Sequence, residues 1–263
     1  MDINIPINTC ILGDAQEVLK TFPDNCIQLC LTSPPYDSLR SYENSLDWNF
    51  DIFKNVANEL YRVTKEGGVV VWVIGDSTID GNETGTSFKQ ALYFKEIGYS
   101  LLDTMIYQKK NFSHPSKNRY HQVFEYMFVF SKGKLKTFNP IKDRVNISSG
   151  KIGSLGTNTF TNKDGSKSTR RKKVVNEYGM RHNVWKMNTV GQEQMCKELC
   201  HPAMFPMKLA EDHIISWSNE NDIILDPFAG SGTTLIAAKK LNRQFIGIEK
   251  VTEYYNIINE RLR

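Results

Sequence analysis

At 263 residues the chain can bury a full hydrophobic core, and 40% apolar against 24% charged residues is an ordinary balance for a soluble globular protein. No apolar run approaches the roughly 18–20 residues of a membrane span, Met1 to Asn8 lacks the basic start and apolar stretch of a secretion signal, and five cysteines are too few and odd in number for a disulfide framework. A cytoplasmic location with reduced thiols is therefore expected, and the net charge of +4 hides an asymmetry: Lys132 to Lys173 carry twelve Lys or Arg against two acids, leaving the remainder net acidic.

Cys10 to Leu12 is the first apolar run of strand length, and Asp14 after it suits the N-cap of a helix over Ala15 to Thr21. Ile27 to Leu31 is continuously apolar, as in a strand buried on both faces, and ends abruptly in Thr32-Ser33-Pro34-Pro35-Tyr36. A helix over Phe50 to Thr64, a strand over Val69 to Ile74, a helix over Ser87 to Ile97 and strands over Ser100 to Ile106 and Phe124 to Phe130 follow. Between Leu135 and Gln194 the periodicity fails, and Gly150, Gly153, Gly156 and Gly165 lie among Ser, Thr, Asn and Lys. Helices over Pro206 to Trp217, Thr233 to Leu241 and Thr252 to Leu262 then alternate with strands over Ile223 to Leu225 and Phe245 to Ile248. Seven strands alternating with helices predict a doubly wound α/β sheet, mostly parallel, with helices on both faces. Three regions are expected: 1–134 and 196–263 as the two halves of the α/β domain, and 135–195 as an insertion.

Two segments carry chemistry. Asp226-Pro227-Phe228-Ala229-Gly230-Ser231-Gly232-Thr233 closes a buried strand and opens a helix, where glycines permit positive φ and close backbone approach to a ligand. No Lys follows the last glycine, so it is not a Walker loop, and Gly-x-Gly alone is an incomplete dinucleotide fingerprint. Nineteen residues beyond Gly230, the next strand ends in Glu249, an acid placed to bind ribose hydroxyls. A tight structural turn with a helix-capping Glu249 is the competing interpretation. At the other end of the chain, Pro34 and Pro35 fix φ and remove two N–H donors, so backbone carbonyls after the strand can face a cleft. Ser33 adds a hydroxyl acceptor and Tyr36 an aromatic plane. Accepting both hydrogens of a nucleobase amine would counter delocalisation of its lone pair and stabilise the positive charge of attack. Stacking on Tyr36 would hold a base taken out of the duplex. An ordinary Pro-Pro turn with a packed tyrosine fits the same residues.

These segments resemble those of the S-adenosylmethionine-dependent DNA amino-methyltransferases. Ser33-Pro34-Pro35-Tyr36 matches the family's catalytic motif and Phe228-Ala229-Gly230-Ser231-Gly232 its cofactor motif. His201-Pro202-Ala203-Met204-Phe205-Pro206 looks like the segment that wraps the methionine part of the cofactor, Leu12-Gly13-Asp14 like the acidic strand end at the adenine, and Glu249 falls at the ribose acid. Catalytic motif before cofactor motif, with a basic insertion between, resembles the beta group. The resemblance implies a circularly permuted Rossmann-like fold in which the cofactor strand and the catalytic strand are neighbours at the switch point of the sheet. It implies S-adenosyl-L-methionine as cofactor, held by Asp14, Phe205, Asp226 to Thr233 and Glu249, and double-stranded DNA as substrate. Ser33 favours the N4 amine of cytosine over the N6 amine of adenine, the alternative target. Lys142, Arg144, Lys151, Lys163, Lys167, Arg170, Arg171, Lys172 and Lys173 are the expected DNA contacts, most of them to phosphates; a solvated basic loop is the bland counterpart. A cognate restriction endonuclease and a homodimer are further partners that the resemblance allows, while a non-catalytic DNA-binding protein and an RNA or protein amide methyltransferase are less favoured readings.

Two other constellations are set aside. Cys26-x3-Cys30 and Cys196-x3-Cys200-His201 lack the spacing of structural zinc sites, so no metal is expected. His114 and His121 flank a basic, aromatic-bearing stretch and are expected at the surface, since methyl transfer from a sulfonium needs no histidine base.

Overall fold

The computed structural model describes residues 5–35, 48–110, 118–151, 159–169, 174–188 and 205–263. In chain order the main unit, Met1–Asn139 with Asn183–Arg263, begins with β1 (Thr9–Leu12), α1 (Ala15–Lys20), β2 (Ile27–Thr32), α2 (Phe50–Val63) and β3 (Thr64–Ile74). A small hairpin of β4 (Thr78–Ile79) and β5 (Asn82–Glu83) leads to α3 (Thr86–Glu96), β6 (Tyr99–Lys109) and β7 (Phe124–Lys132). The second unit, Pro140–His182, contains β8 (Arg144–Val145), β9 (Thr159–Thr161), β10 (Lys167–Thr169) and β11 (Tyr178–Gly179), paired antiparallel as β8 with β11 and β9 with β10. The main unit resumes with β12 (Val184–Met187), α4 (Met207–Trp217), β13 (Ile223–Asp226), α5 (Thr233–Lys240), β14 (Gln244–Glu249) and α6 (Thr252–Leu262). Among the described residues no helix is long and apolar enough to cross a membrane.

The sheet order is β1-β14-β13-β2-β3-β7-β6-β12, and only β7 runs antiparallel to its neighbours. The expected α/β class and mostly parallel sheet are present, but with eight strands rather than seven. The additional strand, β12, lies inside the range expected as insertion and pairs with β6 in register Trp185↔Tyr107. Its four residues carry one buried side chain, Trp185, too little alternation to read as a strand.

Continuous apolar strands here divide their side chains between two cores, because successive residues point to opposite faces. In β3, Val70, Trp72 and Ile74 join one core with Leu19 of α1, Phe53 and Leu60 of α2 and Phe94 of α3. Val69, Val71 and Val73 join the other, with Leu209 and Ile214 of α4, Leu235 of α5 and Ile258 of α6. Thus α1–α3 cover one face and α4–α6 the other. The helices start where side chains satisfy their first N–H groups: Asp14 accepts from Gln16, and Asn49 accepts from Asp51 and Ile52. At the end of α2 the Lys132 ammonium donates to the Tyr61 carbonyl at 2.7 Å, which suits the negative end of the helix.

Phe53 lies fully buried at the centre of an aromatic cluster, edge-on to Trp72, Tyr93 and Phe94 and stacked with Phe50. Phe53→Ala is expected to cost about 3–5 kcal/mol, read as a lower urea midpoint with an unchanged slope; a loss below about 1 kcal/mol would mean that this core collapses to fill the gap.

Candidate active site

The order of strands places the ends of β1, β14, β13 and β2 side by side, and an acid closes or follows three of them: Asp14 after β1, Glu249 on β14 and Asp226 on β13. The two functional segments of the sequence meet here because β13 pairs with β2, Ile224 opposite Leu29 and Leu225 opposite Cys30. The expectation that these strands are neighbours is met.

Asp226 is only 2% exposed. Its Oδ1 accepts the Thr32 hydroxyl at 2.6 Å and the Phe228 N–H at 3.1 Å. The Thr234 hydroxyl, at the start of α5, bears on the same carboxyl and reaches the Leu31 carbonyl at 3.3 Å. Burial pushes the Asp226 pKa up to about 6, and these three donors oppose the rise. Burial also drives the Cys10 thiol up to about 12, helped by the nearby Glu249 and Asp226 carboxylates, which leaves it an inert, neutral side chain.

The turn after Asp226 is held from below. Gly230 and Gly232 adopt φ of 53° and 80°, which favour glycine, and a Cβ at Gly232 would lie 3.1 Å from Ile258. Glu249 Oε2 accepts the Gly230 N–H and Oε1 the Val251 N–H, each at 2.8 Å. Burial raises the Glu249 pKa, the two N–H donors lower it, and the Asp226 charge adds to the rise. The Ala229 N–H donates to the Ile248 carbonyl at 3.0 Å, and Arg261 of α6 donates to the Ser231 carbonyl. Asp14 pairs with Lys250 at 2.9 Å; burial pulls its pKa upward, but Lys250 and the Gln16 donors outweigh that and hold it below the usual value.

Pro227, Ala229, Ser231 and Thr233 are buried within the turn, and Phe228 is half-buried, edge-on to Trp48 with centroids 5.2 Å apart. Phe205 is buried against the core beneath α4–α6. Ser33, Pro34 and Pro35 follow β2 directly, with Pro34 buried and the other two half-buried; Tyr36 lies outside the described residues. Lys142, Arg144, Lys151, Lys163 and Lys167 are exposed on the second unit, whereas Arg170, Arg171, Lys172 and Lys173 lie outside the described residues, as do His114, Cys196, Cys200 and His201. Cys10, Cys26 and Cys30 are buried free thiols, and no group of three or more His, Cys, Asp or Glu among the described residues could hold a metal.

Sequence reasoning missed the hydroxyls of Thr32 and Thr234, although both lie within or beside the motifs it used. It also missed Lys250, whose only signal is its position after Glu249. Trp48 stands outside any motif and gave none.

A turn whose glycines lie in the left-handed region, three acids at adjacent strand ends and a Pro-Pro turn one strand away make up a Rossmann-like α/β fold with the glycine turn at the switch point of the sheet. Residues 27–260 match the N6/N4 methyltransferase family, described as DNA methylase, and the chain belongs to that family. It is 54% identical over 244 residues to the orphan methyltransferase M.BamHII of Bacillus amyloliquefaciens, covering 91% of this chain and 90% of that one. The fold is similar to that of M1.HpyAVI crystallised with S-adenosylmethionine (TM-score 0.65, 24% identity, 97% and 98% of the chains). It is also similar to the cytosine-N4-specific PvuII DNA methyltransferase (TM-score 0.68, 20% identity, 96% and 85% of the chains). The protein is a DNA methyltransferase of the N6/N4 class.

Because the Asp226 pKa of about 6 lies above the ordinary 3.8, the native state holds this proton more tightly than the unfolded chain. The stability attached to this carboxyl is therefore greatest below about pH 4 and declines as pH rises through about 6. Asp226→Asn removes the decline, so its urea-derived stability relative to the parent should rise by about 1–2 kcal/mol between pH 5 and pH 7.5; a constant difference would show that Asp226 titrates normally.

Proposed function

We propose that this enzyme transfers a methyl group to the exocyclic N4 amine of a cytosine flipped out of double-stranded DNA. The observation that carries the proposal is the buried Thr32–Asp226 hydrogen bond, which ties the strand bearing Ser33-Pro34-Pro35 to the strand bearing the glycine turn. The donor set of the turn fits S-adenosyl-L-methionine: bare backbone at Gly230 and Gly232 for close approach, and acids at Asp14 and Glu249 for hydroxyl and amine hydrogens. When bound, this cofactor supplies an electrophilic methyl group on sulfur. Asp14, Phe205, Asp226 to Thr233 and Glu249 hold it, the Glu249 carboxylate through lone pairs beyond those already given to Gly230 and Val251.

The Ser33 hydroxyl and the Pro34 carbonyl accept hydrogen bonds from the target amine, and Tyr36 stacks on the base. The acceleration comes chiefly from orientation and from acceptors aimed at developing positive charge. The insertion, 135–195, contacts duplex DNA, with its lysines on phosphates. Ser33 at the head of the motif supports cytosine over adenine; membership of a family that spans both chemistries leaves adenine-N6 as the alternative. A place in a restriction–modification system, in the cytoplasm, completes the proposal.

Incubation with unmethylated plasmid and labelled S-adenosyl-L-methionine, followed by digestion to nucleosides and mass spectrometry, is expected to yield N4-methylcytosine. N6-methyladenine would correct the base and leave the mechanism; no transfer to DNA would overturn the proposal. Tyr36→Ala is expected to lower transfer by about 5- to 150-fold, the equivalent of roughly 1–3 kcal/mol of base stacking, with cofactor affinity by calorimetry within a few-fold of the parent. Loss of cofactor binding instead would move Tyr36 into the cofactor pocket.

A further inference from the structure

The second unit holds ten Lys or Arg against three acids, yet its cations are not equivalent. Lys142, Lys151, Lys163 and Lys167 are exposed point charges on flexible stems, suited to phosphates wherever these fall. Arg181 has Nε and one terminal nitrogen engaged by the Asp143 carboxylate, at 2.9 Å for Nε to Oδ2. Arg144 is held differently.

In the β8–β11 ribbon Arg144 lies directly opposite Gly179, and residues opposite one another share a face. Gly179 has no positive φ that would call for glycine. What it supplies is space, since a Cβ there would lie 2.4 Å from Arg144 Nη2 and 2.9 Å from Asn146 Oδ1. The guanidinium rests on bare backbone, and its Nε donates to the Met180 carbonyl at 3.0 Å. Among the described residues Nη1 and Nη2 have no hydrogen-bond partner. Asn146, two residues on, shares this face and is pinned by its Nδ2 to the Asn176 carbonyl at 2.9 Å.

An arginine fixed at Nε and open at both terminal nitrogens presents two parallel donors at a set spacing. Guanine offers the matching pair of acceptors, O6 and N7, on its major-groove edge, and the major groove is wide enough for a two-stranded ribbon. A phosphate can accept the same fork but is equally served by mobile cations, so a seated arginine adds most where a fixed position is to be read. Holding the side chain before binding also reduces the rotamer entropy lost on contact.

We infer that Arg144, seated on Gly179 in the β8–β11 ribbon, reads one guanine of the target duplex through the major groove. The inference rests on the proposed reading of the protein as a duplex-DNA methyltransferase and assigns one position of its specificity.

The test uses the full chain with S-adenosyl-L-methionine and a randomised duplex library, with methylated sites read by sequencing. Arg144→Ala, Arg144→Lys and Gly179→Ala should each relax the preference for guanine at the same single position by about 5- to 150-fold, leaving other positions intact. In the parent enzyme, 7-deazaguanine at that position, which lacks N7, should cost a comparable factor, and it should cost Arg144→Ala nothing further. Unchanged preference at every position would overturn the inference. So would a parent-like Arg144→Lys alongside an Arg144→Ala that binds all duplexes more weakly with a shallower salt dependence, the signature of a phosphate contact. Absence of methylation by the parent enzyme on any duplex would overturn the functional reading and this inference together, whereas methylation with unrelaxed specificity overturns this inference alone.

Discussion

A carboxylate taken out of water between two strands governs this structure. Asp226 and Thr32 are 194 residues apart, and their hydrogen bond lies where both strands end. An ionised carboxyl left unpaired at that depth would cost several kcal/mol, and the hydroxyls of Thr32 and Thr234 and the Phe228 N–H together offset that cost. The Thr32 bond fixes the glycine turn relative to the Pro-Pro turn. A shift of β2 by one residue would break the Thr32 contact and reverse the faces of the buried side chains on that strand.

The rest of the site extends that constraint outward. Glu249 grips the glycine turn from the next strand, with one oxygen on Gly230 and the other on Val251. The Gly13 N–H donates to the Glu249 carbonyl at 2.9 Å, which brings the end of β1 into the same frame and carries Asp14 to Lys250. Three acids thus sit on adjacent strand ends in different electrostatic states: Asp226 and Glu249 raised by burial, Asp14 lowered by its lysine. Such separation of environments is common where a site must bind a charged or polyhydroxylated ligand.

Much of this was legible in the sequence, for definite reasons. The glycine turn and the double proline announce themselves because backbone geometry there admits few residues. Continuous apolar strands announced a sheet covered on both faces, and the two cores divide along the alternation in Val69 to Ile74. What stayed hidden depends on tertiary context. Thr32 looks like any β-branched strand residue until β13 is laid beside it, and Trp185 is one aromatic in a polar stretch until β6 pairs with it. The ribbon of β8 and β11 is two residues wide on each side, below the length at which alternation can be recognised. Glu249 was expected to serve ribose, and its bonds to Gly230 of the glycine turn and to Val251 show a structural role that sequence position alone could not separate from ligand binding.

The central claim is that one buried hydroxyl–carboxylate contact keeps the catalytic strand end in register with the cofactor turn. The most direct measurement compares Thr32→Val with Thr32→Ser for methyl transfer to duplex DNA under single-turnover conditions and for S-adenosyl-L-methionine binding by calorimetry. The account predicts a transfer rate in Thr32→Val reduced by about tenfold or more, cofactor affinity within a few-fold of the parent, and recovery of the rate in Thr32→Ser, which restores the hydroxyl. A Thr32→Val enzyme that transfers methyl groups at the parent rate would contradict it.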